Sequence, residues 1–176
     1  MAIAMTSRMV LAQATTQRQK HREECEYKVY VGSMRLRATP GPAQWAFSTA
    51  YSVACWDVQH FIVLFKPQHA YGPCLLFDFQ PKDPTNPHIA LAALFGHGVP
   101  GIVQKRELPK LPTKRYWLIG EAEKDVSIQR ATEFNQHWAT ELKLGEHDCR
   151  HYTNALIEHI MGEHNVLGRL RNTIPD

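Results

Sequence analysis

A chain of 176 residues, 44% apolar and 21% charged, has the length and composition of one globular domain with a real core, which excludes wholesale disorder. A formal net charge of +3, carried by scattered basic residues, is too weak a footprint for a nucleic-acid partner. No apolar run reaches the ~18 residues that crossing a bilayer needs, so no membrane span is expected.

Residues 1–22 lack Asp and Glu but carry Arg8, Arg18, Lys20 and Arg22 among Ala, Met, Thr, Ser and Gln. That is the composition of an organelle transit peptide. Residues 1–24 therefore read as a basic leader to a chloroplast or mitochondrion, or as a disordered leader on a cytoplasmic protein. Residues 25–168 read as a single α+β domain, and 169–176, with Arg169 and Arg171, as a flexible tail. Cys25, Cys55, Cys74 and Cys149 form no CxxC pair, so a zinc knuckle is unsupported. A chain this rich in core residues needs no disulfides, and a reduced compartment is favoured.

Residues 27–37 alternate loosely and predict an edge strand with Gly32 as a bulge. A Pro-Gly break at 39–42 follows, and 43–54 fit a helix or an extended segment equally. Residues 56–66 are the strongest strand: Phe61 to Phe65 are apolar on both faces, which predicts a central, buried position ending at Pro67. A short turn leads to a strand at 74–79, and so to an antiparallel hairpin. Asn86 then Pro87 read as the N-cap and first residue of a helix that stops at Gly96. Strands are expected at 101–107 and 115–119. A helix is expected over 125–142, its core side being Ile128, Ala131, Phe134, Trp138 and Leu142. The last helix runs from Asp148 to Met161 and stops at Gly162. The sum is α+β: an antiparallel sheet of four or more strands with about three helices packed on it.

The chemistry concentrates at Cys149. Asp148 or His147 caps the last helix, which puts Cys149 in its first turn. Unpaired N–H groups and the helix dipole favour an anion there, and a thiolate is an anion. The same N–H groups can steady a developing oxyanion. Cys149, Tyr152, Leu156 and Ile160 recur at spacings of three or four, so the thiol points with the apolar stripe towards the sheet. A simple core cysteine would give the same spacing.

A nucleophilic thiol needs a base. His60 lies in the most buried strand, where an imidazole without a partner is costly. Asp78 is equally out of place among the aromatics of LLFDF. A hairpin centred near residue 69 sets Asp78 opposite His60, although a one-residue slip would reverse the face and Asp78 could instead cap a turn. Cys149, His60 and Asp78 thus form the candidate catalytic set, with no cofactor or metal called for.

This order, a His in a core strand, a polar residue in the next and a Cys opening a late helix, resembles the circularly permuted papain-like fold of lecithin:retinol acyltransferase and the NlpC-type peptidases. His147-Asp148-Cys149-Arg150-His151-Tyr152 is similar to that family's Asn-Cys-Glu-His-Phe in the Cys, the His two residues later and the aromatic after it. Asp148 stands where the family has Asn, and Asp78 where it commonly has His. The resemblance spans about residues 56–161. It implies a permuted papain-like fold, Cys149 as nucleophile, His60 as base, Asp78 as orienter, and a thiol hydrolase or acyltransferase acting on an amide or ester of an acyl or peptide substrate.

Two other readings compete. His147, Cys149, His151 and His159 are metal-ligand types in one segment, but Cys149 points away from its His neighbours on a regular helix. Alternatively the domain is a non-catalytic interaction or assembly module of an organelle, with ELPKLPTKRYW as a surface for a protein partner; that stretch reads equally as a loop entering a strand.

Overall fold

A computed structural model describes residues 26–34, 59–68, 72–111 and 115–174. The leader, the 39–42 break, the 43–54 segment, Cys25 and Cys55 lie outside the described residues. In chain order the elements are β1 (Glu26–Met34), β2 (His60–Pro67), β3 (Cys74–Pro81), α1 (Pro87–Leu94), β4 (Val99–Leu108), β5 (Tyr116–Glu123), α2 (Lys124–His137), β6 (Glu141–Leu142), α3 (Cys149–Met161) and α4 (Val166–Leu170). The strands make one antiparallel sheet in the order β5-β1-β2-β3-β4-β6, with α+β architecture as the sequence predicts. Among the described residues no helix is long and apolar enough to cross a membrane.

The unbroken apolar run of β2 is explained by burial on both sides. On one face Phe61, Val63 and Phe65 pack with Phe77, Phe79 and the α3 residues Tyr152, Leu156, Ile157 and Ile160 in the main core. On the other, Ile62 and Leu64 join Tyr30 and Leu76 in a second cluster. Asn86 caps α1 by accepting the His88 N–H at 3.0 Å, with Pro87 just inside, and Gly162 ends α3 in the left-handed conformation at φ 73°.

Four expectations need correction. β1 is interior, hydrogen-bonded to β2 and β5, because its alternate residues are buried on both sides. The irregularity lies between Val29 and Tyr30, whereas Gly32 stays in register with Ile62 and Tyr116. Gly32 is there for space: a Cβ would lie 3.1 Å from Ile62 Cγ1 and 3.2 Å from Leu64 Cδ1. The helix expected to reach 142 ends at His137, where Trp138 turns extended and Leu142 pairs with Val99 in β6. Leu142 is buried either way, so its spacing from Trp138 imitated a helical stripe. Finally, the domain boundary drawn at 168 falls inside α4. Val166 and Leu167 are buried there, Asn154 Oδ1 accepts the Leu167 N–H at 2.9 Å, and the Trp117 indole donates to Thr173 O at 3.4 Å.

Candidate active site

Asp148 builds the start of α3. Its Oδ1 accepts the Arg150 N–H at 2.9 Å within a capping box completed by His151, and its Oδ2 accepts the Gly145 N–H at 2.8 Å. Burial alone would raise the Asp148 carboxyl. Hydrogen bonds from the Arg150 side chain and the Gly145 N–H, with the guanidinium charge, override that and hold it well below the ordinary carboxylate range. The Arg150 fork, 2.6 Å away at its closest, also balances a negative charge that would otherwise stand beside Cys149.

Cys149 is the first residue of α3 and His60 the first of β2. By the pleat, His60 faces with Ile62 and Leu64, whereas α3 packs on the Phe61 face. The two meet because both sit at the end of the strand. In its thiol form Cys149 Sγ donates to the carbonyl of Gln59, the residue just before β2, at 3.8 Å. The His60 imidazole is near enough to the same sulfur to feel it electrostatically.

Asp78 closes the arrangement from β3. The His60 Nε2–H donates to Asp78 Oδ2 at 3.0 Å, which leaves Nδ1 outside that bond. Val63 pairs with Phe77 and Phe65 with Leu75, which centres the hairpin on residue 70 rather than 69. That displaces partners by two residues and preserves parity, so Asp78 is diagonal to His60 instead of opposite it and keeps the same face. The Asp78 carboxylate has no solvent exposure.

Sequence reasoning missed Arg106. It lies opposite Leu76 on β4, one diagonal step from Asp78, and its guanidinium donates to Asp78 Oδ2 at 2.8 Å. The run Lys105-Arg106-Glu107 reads as a solvated strand, and only the register of β4 against β3 puts Arg106 on the Asp78 face. One oxygen of Asp78 thus anchors both the imidazole and a guanidinium.

This setting fixes the proton on His60. Burial would lower the imidazole pKa, but the Asp78 hydrogen bond, the neighbouring Cys149 sulfur and the Asp78 carboxylate charge push it up to about 9. At neutral pH the ring is an imidazolium beside sulfur. Chemically, that is a charge partner for a thiolate and a proton donor for a leaving group.

The histidines proposed as metal ligands go elsewhere. His147 stacks on Trp138 with centroids 4.5 Å apart, His159 lies against Phe134, and His151 pairs with Asp148 at 3.0 Å. Among the described residues no three such side chains gather as a metal site. In the Pro-rich stretch, β4 ends at Leu108 and β5 begins at Tyr116. No protein-family model matches this chain, and comparisons with curated proteins and with solved structures return no match either.

Proposed function

We propose that the protein is a thiol hydrolase or acyltransferase acting on an amide or ester, with Cys149 as nucleophile, His60 as acid and base, and Asp78 as orienter. One observation carries the reading: His60, whose ring is bonded to a carboxylate with no solvent exposure, directly follows Gln59, whose carbonyl accepts the Cys149 thiol. The order of a strand His, a polar residue in the next strand and a helix Cys resembles that of permuted papain-like enzymes and favours the same chemistry, although Asp78 stands where they commonly have His.

In the first step the Cys149 thiolate attacks the carbonyl carbon. A C–S bond forms and the carbonyl π pair moves onto oxygen. When the tetrahedral adduct collapses, the bond to the leaving amine or alkoxide breaks and His60 Nδ1 gives that group its proton. The neutral imidazole then takes a proton from water or an acceptor hydroxyl, which attacks the thioester and restores the thiolate–imidazolium pair. Asp78 keeps the ring aligned by holding Nε2, which leaves Nδ1 for the proton transfers.

Steady-state turnover of p-nitrophenyl esters and acyl thioesters of varied chain length tests this. Turnover by the wild type that falls at least about a hundredfold in folded Cys149→Ser and His60→Gln is expected. Equal turnover in all three proteins, or none in any, would overturn the assignment. An interaction module is the second reading, favoured by the exposed Leu91, Leu94 and Phe95 of α1 and the residue after it; a Cys149 no more reactive towards electrophiles than free cysteine would support it.

A further inference from the structure

A thiol enzyme asks two opposite things of its histidine. The imidazolium must hold a proton beside the thiolate, yet give it to the leaving group and later take one back. A buried carboxylate bonded to the ring favours holding. Asp78 has no solvent exposure, so water does little to screen its charge. Alone with His60, it would bind the imidazole proton more tightly than transfer requires.

The pair has a third member. The Arg106 guanidinium donates to Asp78 Oδ2 at 2.8 Å, on the same oxygen that accepts the His60 Nε2–H at 3.0 Å. The other oxygen, Oδ1, is sealed from solvent and accepts no hydrogen bond among the described residues. Both cations therefore draw on one end of one carboxylate, and the shorter contact belongs to the group that never loses its proton. Register puts Arg106 there. Gln104, Arg106 and Leu108 share the Asp78 face of β4, whereas Lys105 turns to the other face, 5.8 Å from the centre of the Phe77 ring. The Arg106 side chain is only 34% exposed, and its Nε is sealed without an acceptor, a placement that a merely solvating charge would avoid. Among the described residues the charged or titratable groups that face His60 are Asp78 from β3 and Cys149 from α3, with Arg106 of β4 bonded to Asp78; its partner on β1 is the uncharged Met34.

We propose that Arg106 is a positioning residue of the thiol site: it fixes the Asp78 carboxylate and takes a share of its charge, so that the His60 imidazolium can release its proton during the reaction. This rests on the acyl-transfer reading above and adds to it the group that regulates the acid and base. A nearby guanidinium disfavours a second positive charge on the ring, and by neutralising the carboxylate it weakens the field that holds the proton at His60. Both effects act in the same direction. Only Nη2 of the guanidinium touches the carboxylate, so the site uses the charge of Arg106 rather than the paired geometry of its fork. A lysine should therefore serve in its place, and a neutral side chain should not.

The first reading of the test follows the proton on His60 without any catalysis. Histidine proton NMR, with the His60 signal assigned by its loss in His60→Gln, is recorded from pH 6 to about 11, in proteins shown to be folded by circular dichroism. In Arg106→Gln and Arg106→Met, two neutral replacements, the His60 titration should move up by about one pH unit or more, while Arg106→Lys should recover at least about half of that change. The second reading compares two esters. The burst of p-nitrophenolate from p-nitrophenyl acetate, a leaving group that departs without a proton, should stay within about twofold of wild type in the neutral variants; turnover of ethyl acetate at pH 7, which routes a proton through His60 in both of its steps, should fall about tenfold. A His60 titration that does not move in a folded neutral variant would overturn the proposal and leave the thiol enzyme standing. Equal upward movement in Arg106→Lys and the neutral variants would also overturn it, because charge would then not be the agent. So would a burst that falls as far as the ethyl acetate turnover, since Arg106 would then act through the fold. A wild type acylated by neither ester would remove the acyl-transfer reading, and the role of Arg106 in it.

Discussion

Holding a proton on a buried imidazole makes stability depend on pH in a defined window. The His60 pKa is raised from 6.5 to about 9 in the folded protein. A raised value means that the native state binds the proton more tightly than the unfolded chain. The stabilisation is fully present below 6.5 and is lost as pH rises through about 9. That separation corresponds to about 3 kcal/mol, a sizeable share of a small domain's stability. His60→Gln removes the titration while keeping a polar side chain near Asp78. Urea unfolding of both proteins, followed by far-ultraviolet circular dichroism from pH 6 to 10, measures the difference directly. The wild type should lead by about 3 kcal/mol more at pH 6 than at pH 10, with most of the change between 6.5 and 9. A lead that stays constant within about 0.5 kcal/mol across the range would refute the protonated ring.

Asp78→Asn should destabilise by about 3 kcal/mol, since a fully buried anion is removed from two cationic partners; histidine proton NMR should then show His60 titrating below the wild-type value, and an unchanged titration would argue against the 3.0 Å contact. Asp148→Ala should cost about 2 kcal/mol at pH 7 through loss of the cap, measured by thermal and urea unfolding. Because the Asp148 value is depressed, its contribution is present above pH 3.8 and fades as pH falls through the lower folded value, so the gap between wild type and variant should close in strong acid. Gly32→Ala should destabilise by about 1–3 kcal/mol, as the new methyl presses on Ile62 and Leu64 between packed strands, and a neutral result in urea would contradict that packing.

The fold was largely legible where local chemistry and tertiary demand agree. Asn86-Pro87, Asp148 and Gly162 mark helix ends through their own backbone and side-chain preferences, and the run from Phe61 to Phe65 signals a strand covered on both faces. Legibility failed where one pattern suits two conformations. Trp138 and Leu142 keep a helical spacing, but the segment between them turns extended, and only pairing with Val99 decides the outcome. At the site, His60 and Asp78 stood out because ionisable groups in apolar strands need partners. The two-residue register error was harmless only because parity survived. Arg106 stayed hidden among charges that look solvated until β4 is set against β3.

Nothing addresses the central claim more directly than the mass of the protein caught during reaction with an activated ester. Wild-type protein mixed with p-nitrophenyl acetate and quenched in acid within seconds should carry one acetyl group, mapped by peptide fragmentation to Cys149 and released by neutral hydroxylamine as a thioester is. Cys149→Ser should carry none, and His60→Gln should accumulate it at least about tenfold more slowly. An acetyl group found only at other side chains, or equal labelling of Cys149 in wild type and His60→Gln, would contradict the account.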